Sequence, residues 1–250
     1  MPTPALRALT DRHRTKTANR RLGGLLAFVA GAMNAGGFLL LHRYTSHMTG
    51  IVSGLADDLA LGAYRLVTTG LLLVMSFVLG AIVTALLANW ARRRQWRGEY
   101  APCLAAEGLV LLAFAALAFR GNDSSRAIAA ATALLCFVMG LQNAMVTKVS
   151  RAEIRTTHVT GILTDIGIEL GRWLFGLGAA VTATSGIAAD RERLNLLTSL
   201  LGLFVLGGVA GAFAFQWAGP LAAVPFGIGL LILAVPSLLQ DLRTANASAR

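Results

Sequence analysis

Charge is scarce in this chain. Only 14% of its 250 residues are Asp, Glu, Lys or Arg, and mean hydropathy is +0.65. A soluble domain carries about 25% charged residues. Polar helix faces are missing too. Apolar runs at 22–41, 66–90, 101–119, 127–147, 195–217 and 221–239 hold almost no charge. They lack the polar stripe that a helix on a soluble core shows. Each is close to the ~20 residues a helix needs to cross a bilayer. Cysteine is nearly absent. Cys103 and Cys136 lie in or beside apolar runs, which excludes a disulfide framework and any ligand spacing typical of a metal site. Catalytic signatures are missing as well: there is no HExxH, no GxSxG and no Ser–His pair with a defined third partner. The chain therefore reads as an all-α integral membrane protein of about six transmembrane helices. Neither an enzyme, a cofactor nor a metal is expected.

The charge that is present is unevenly placed. The net charge is +10, a value that would suit nucleic acid, yet the basic residues cluster beside the apolar runs. Arg7, Arg12, Arg14, Lys16, Arg20 and Arg21 precede the first run, Arg92, Arg93, Arg94 and Arg97 follow the second, and Lys148, Arg151 and Arg155 follow the fourth. The intervening segments 42–65 and 120–126 are near neutral. This alternation is the positive-inside pattern. It places the N-terminus and the loops at 91–100 and 148–156 in the cytoplasm of a bacterial inner membrane, and it needs no nucleic-acid partner. The first run lacks a small-x-small cleavage site followed by a polar chain, so it reads as a span rather than a signal peptide.

The chain also repeats itself. Gly31-Ala32-Met33-Asn34-Ala35 matches Gly140-Leu141-Gln142-Asn143-Ala144. Ser46-His47-Met48-Thr49-Gly50-Ile51 matches Thr157-His158-Val159-Thr160-Gly161-Ile162. Phe77-Val78-Leu79-Gly80 recurs as Phe204-Val205-Leu206-Gly207, each followed at one interval by Trp90 or Trp217, and Pro102 and Pro220 then open the last span of each half. The order is the same in both halves. The expected organisation is a basic tail at 1–21, a three-span repeat at 22–119, a linker at 120–126, a second three-span repeat at 127–239 and a tail at 240–250. Each repeat reads as span, short polar motif helix, span, span. Three spans per unit force the second to enter from the opposite side, giving inverted repeats of the kind found in secondary transporters. One segment is ambiguous. Residues 158–184 are more apolar than 47–64, and read either as a re-entrant or interfacial helix or as a seventh span.

The duplicated motif carries the chemistry. Read as a helix, His47 shares a face with Asp58, and His158 shares one with Asp165 and Glu169. Thr49 and Thr160 stand beside them. Ionisable groups near a bilayer usually face a bundle interior or a water-filled path, and a re-entrant helix N-terminus carries partial positive charge. Asn34 and Asn143 sit at matching depths within spans, where a buried amide must find a partner. These nine residues are the candidate solute or ion path. The competing reading makes the motifs interfacial loops with structural histidines, capping hydroxyls and headgroup-facing carboxylates. Glu107 reads as snorkelling to the nearer interface. Trp90, Trp96 and Trp217 read as interface anchors, and Gly207-x-x-x-Gly211 as a helix-packing pair.

The Asn34-Ala35 and Gln142-Asn143-Ala144 elements, Thr49-Gly50, and Thr160-Gly161-Ile162-Leu163-Thr164-Asp165 resemble the YoaK-like family of bacterial membrane proteins, a domain of unknown function. The resemblance covers nearly the whole chain after residue 20. It implies a multi-span inner-membrane protein and no particular activity. Members often carry Asp where this chain has Asn34, and Asn where it has Ile51, so chemistry that depends on that carboxylate does not transfer. Two classes of function remain. One is a small-solute permease built on inverted repeats. The other is a membrane scaffold or accessory subunit, with small-residue faces around Gly80 and Gly207 offered to partners, to lipid or to a second copy in a homo-oligomer.

Overall fold

The computed structural model of the chain describes residues 15–120, 124–149, 157–178 and 189–248, and contains no strand among them. Positions 1–14 of the N-terminal tail, 121–123 of the linker, the 150–156 loop and positions 179–184 of the ambiguous segment lie outside the described residues. The helices are α1 (Lys16–Leu41), α2 (Met48–Ala60), α3 (Tyr64–Arg93), α4 (Ala101–Arg120), α5 (Ser125–Val149), α6 (Val159–Gly178), α7 (Arg191–Ala218) and α8 (Ala223–Ser248). Thr15 Oγ1 caps α1 by accepting from the Ala18 N–H, and Asp190 Oδ1 caps α7 by accepting from the Arg193 N–H.

Among the described residues, five stretches are long and apolar enough to cross a membrane. The fifth, Arg191–Asn246, has 56 residues. Within it the chain turns through a short 3₁₀ segment at Gly219–Ala222, where Gly219 has a φ of +56°. That left-handed backbone suits glycine, and it divides the stretch into α7 and α8. Leu71, Met75, Leu79, Ile82 and Leu86 on α3, and Leu206, Val209 and Phe213 on α7, are exposed apolar side chains. In a bilayer such side chains lie against lipid.

The direction of each helix follows from which residues meet. The Arg20 guanidinium reaches Glu192 at 2.5 Å, so α1 and α7 start at one face, here the N-terminal face. The Asn19 side chain donates to the Val149 carbonyl, which puts the end of α5 there as well. Farther along, Gln142 Nε2 donates to the Leu26 carbonyl, and Gly37 lies against Leu135. Helices α1 and α5, which carry the matching Asn34 and Asn143, therefore run antiparallel. Likewise α4 and α8 run antiparallel: Gly98 and Arg97 donate backbone N–H groups to the Asp241 carboxylate, while Gly108 and Gly227 face one another. The two halves are inverted.

The halves also interlock. A Cβ placed on Gly31 would strike the Phe204 carbonyl, and one on Gly207 would strike the Phe28 carbonyl. The same exchange joins Gly80 to Phe137 and Gly140 to Phe77. So the first span of each half crosses the second span of the other, backbone to backbone. Helices without side chains at the crossing gain close van der Waals contact and Cα–H···O contacts. Gly211 adds to this crossing by lying on Ala32. These glycines are consumed inside the chain, so Gly80 and Gly207 are not available to a partner.

Two sequence expectations are corrected. Glu107 does not snorkel: it is fully buried, and neither carboxyl oxygen has a partner among the described residues. It lies beside the α4–α8 crossing at Gly108, where the packed helices enclose its short side chain. Trp96 is buried and stacks edge-on against Trp90 at 4.6 Å, whereas Trp90 and Trp217 are exposed.

Candidate functional site

Helix α1 ends at His42, whose backbone turns left-handed with a φ of 53°. The chain then doubles back until Ser46 lies beside Asn34. The Asn34 Oδ1 accepts from the Ser46 hydroxyl at 2.9 Å and from the Ser46 N–H at 3.3 Å. From there α2 departs for the face it came from. Its 13 residues reach only about 20 Å, short of the ~30 Å hydrocarbon core. The second half repeats this. Thr157 donates its hydroxyl to Asn143 Oδ1 at 2.7 Å, and α6 departs from that point. Ser46 and Thr157 thus tie the chain to the preceding span and do not cap the motif helices.

Helix α6 is longer, with 20 residues, but it turns back too. Arg193 at the start of α7 reaches Asp165 at 3.0 Å, and the Asp190 N–H donates to Glu169 at 2.9 Å. The later residue of α6 meets the earlier residue of α7. So α6 runs antiparallel to the first turns of α7 and heads for the N-terminal face, where α5 ended. Over 159–178 this segment is re-entrant rather than a seventh span.

In both halves the histidine folds over the first turn of its helix. A Cβ on Gly50 would strike the His47 ring, and one on Gly161 would strike the His158 ring. This explains the glycine three residues after each histidine. The first-turn N–H groups of α2 and α6 have no acceptors within their own helices, and neither first turn holds an acidic residue.

The two motifs converge. One cavity of about 790 Å³ is lined by Asn34, Ser46, His47, Met48, Thr49 and Phe77 from one half, and by Asn143, Thr157, His158, Val159, Thr160 and Phe204 from the other. Every residue of the first set has its repeat partner in the second. Tyr44 and Thr147 complete the lining. Among the described residues, no Asp, Glu, Lys or Arg lines it. Two helix N-termini enter from opposite faces, bringing partial positive charge and the N–H groups of their first turns.

Six of the nine candidate residues line this cavity: Asn34, His47, Thr49, Asn143, His158 and Thr160. The three carboxylates do not. Asp58 is half-buried toward the far end of α2. Asp165 pairs with Arg193, and Glu169 is buried against Arg172 at 2.9 Å. Two to three helical turns carry the carboxylates away from the cavity. Phe77, Phe204 and Tyr44 were missed as lining residues. The phenylalanines had a signal, because each stands in a repeated element. Tyr44 had none.

Fold and site together define a multi-pass helical membrane protein of inverted repeats around a cavity lined by both motifs. The family model described as "Protein of unknown function (DUF1275)" matches residues 22–236, and the chain belongs to that family. It is 31% identical over 152 residues to "UPF0700 transmembrane protein YoaK" of Bacillus subtilis (strain 168), covering 60% of this chain and 67% of that protein. It is 33% identical over 113 residues to "UPF0700 transmembrane protein RA0705" of Rhizobium meliloti (strain 1021), covering 45% of this chain and 40% of that protein. No solved structure matches it.

Proposed function

We propose that the chain is a small-solute permease of the bacterial inner membrane, with its N-terminal face in the cytoplasm. One observation carries this reading: both copies of the motif line a single cavity, residue for residue. Headgroup-facing loops would have no reason to meet. The cavity offers amides, hydroxyls, imidazoles and helix N-termini, and among the described residues no fixed carboxylate. A bare cation finds no counter-charge in such a lining. A solute rich in hydrogen-bond acceptors, uncharged or anionic, finds donors from both halves. The orientation is supported by Arg20, Arg92, Arg93, Arg94, Arg97 and Lys148, which gather toward one face. No chemical step is implied: a path needs binding and release, and the lining holds no group of nucleophile, base and orienter.

The test is flux into proteoliposomes from a panel of labelled small neutral and anionic solutes. Asn34→Leu and Asn143→Leu remove matching polar groups while keeping the number and branching of side-chain heavy atoms. Each should lower flux of the transported solute about tenfold, since a hydrogen bond within a membrane protein is worth roughly 1–2 kcal/mol. Absence of flux for every solute, in protein that remains monodisperse, overturns the reading.

A further inference from the structure

A second cavity, of about 700 Å³, lies toward the N-terminal face. It shares His158 and Thr160 with the central one. The first turn of α6 is thus the partition between the two spaces. The outer space differs in chemistry: Lys16, Arg20, Asp165, Asp190, Glu192 and Arg193 all line it. A mixed-charge lining holds water readily.

We infer that the second cavity is the inner vestibule of the solute path, that α6 is its gate, and that the Asp165–Arg193 ion pair is the latch. This rests on the permease reading of the central cavity. Two attachments hold α6 to α7, and they differ in kind. Glu169 is 1% exposed and is engaged by Arg172 at 2.9 Å, by the Asp190 N–H at 2.9 Å and by Arg193 at 4.0 Å. A buried carboxylate so engaged is costly to release, and it forms the pivot. The Asp165–Arg193 pair, one turn nearer the partition, has side chains 39% and 50% exposed. An exposed pair of this sort is weak and screened by salt, as suits a contact that must open repeatedly. Opening it loosens the first turns of α6 between two fixed points, Thr157 on Asn143 and Glu169 on the Asp190 N–H.

The latch belongs to one half only. By the register of the repeated motif, Gly54 stands on α2 where Asp165 stands on α6. By the register of the Phe-Val-Leu-Gly elements, Leu66 stands where Arg193 stands. No ion pair can form at that place on α2. The two gates of the path are therefore unequal: the inner one is latched by charge and the outer one is not.

Thiol accessibility tests this without any solute. Cys103 and Cys136 are buried and are replaced by alanine, and Thr160→Cys is introduced into the full chain in proteoliposomes. A membrane-impermeant thiol reagent is applied to the N-terminal face. Labelling should be slow in the parent and roughly two- to fivefold faster with Asp165→Asn, the change expected for loss of one exposed pair. High salt should speed the parent and leave Asp165→Asn unchanged. Asp165→Glu, which keeps the charge and leaves the Arg193–Glu169 contact in place, should keep labelling slow, which separates the latch from a folding defect. Equal labelling rates in parent, Asp165→Asn and Arg193→Gln overturn the inference, even where flux is observed. The expected labelling in a chain that carries no solute would uphold the latch and count against the permease.

Discussion

Both carboxyl oxygens of Glu107 lack a partner among the described residues, although the side chain is fully buried. Burying a polar group unpaired costs about 1–3 kcal/mol by mutational measures. Leucine of similar volume removes that cost and keeps the packing. Glu107→Leu should therefore melt at the same temperature as the parent in detergent, or a few degrees higher. A clear drop in melting temperature would show that the carboxyl has a stabilising partner. The depth of Glu107 was not legible. A glutamate six residues into a span can reach an interface or not, depending on how neighbouring helices crowd it. The opposite holds for Asn34 and Asn143. An amide within a span announces a hydrogen bond, and the repeat said that both would make the same one. The partner was not evident, because Ser46 and Thr157 become neighbours only once the chain doubles back.

Among the elements, the informative pattern is Phe-Val-x-Gly. It occurs four times, at Phe28, Phe77, Phe137 and Phe204. In every case the glycine packs on the carbonyl of the phenylalanine in a helix of the other half. Two occurrences stand out as a repeat. The other two are equally visible in the sequence, and together the four mark both helix crossings. Their pairing, first span with second span of the opposite half, is not visible, because a glycine face says that a helix approaches and not which one. Gly140→Val and Gly207→Val should each cost about 1–3 kcal/mol or more, since the added carbons meet backbone and not a flexible side chain. Gly202→Ala and Gly229→Ala meet nothing within 4 Å and should be neutral or stabilising by up to about 1 kcal/mol. Melting of detergent-solubilised protein followed by size-exclusion chromatography checks both groups. Equal stability of Gly140→Val and the parent would refute the crossing.

For the whole molecule, inversion makes a prediction of sidedness. Asp57 near the end of α2 and Gly171 in the later part of α6 are both exposed, and their helices return to opposite faces. Cysteines placed there, in the chain without Cys103 and Cys136, should react with an impermeant reagent from opposite sides of the membrane. Labelling of both from one side would contradict the inverted arrangement.

What the sequence by itself determined is whatever follows from local composition and self-similarity. Low charge and unbroken apolar runs require a lipid-facing helical protein, since a helix satisfies its own backbone hydrogen bonds where water is absent. Four of the six spans followed to within four residues, whereas α1 starts six residues before its apolar run and α8 ends nine after it. An odd number of spans per repeat made inversion a matter of counting. What only the tertiary structure decided is everything that depends on residues far apart in the chain. Residues 158–184 have the length of a span and the charge of a loop, and ion pairs from Asp165 and Glu169 to the start of α7 make α6 turn back. The two motifs stand 111 residues apart by their histidines, and nothing local says that they meet. They meet because the glycine crossings draw each first span onto the second span of the other half, and that packing leaves both helix N-termini facing one space.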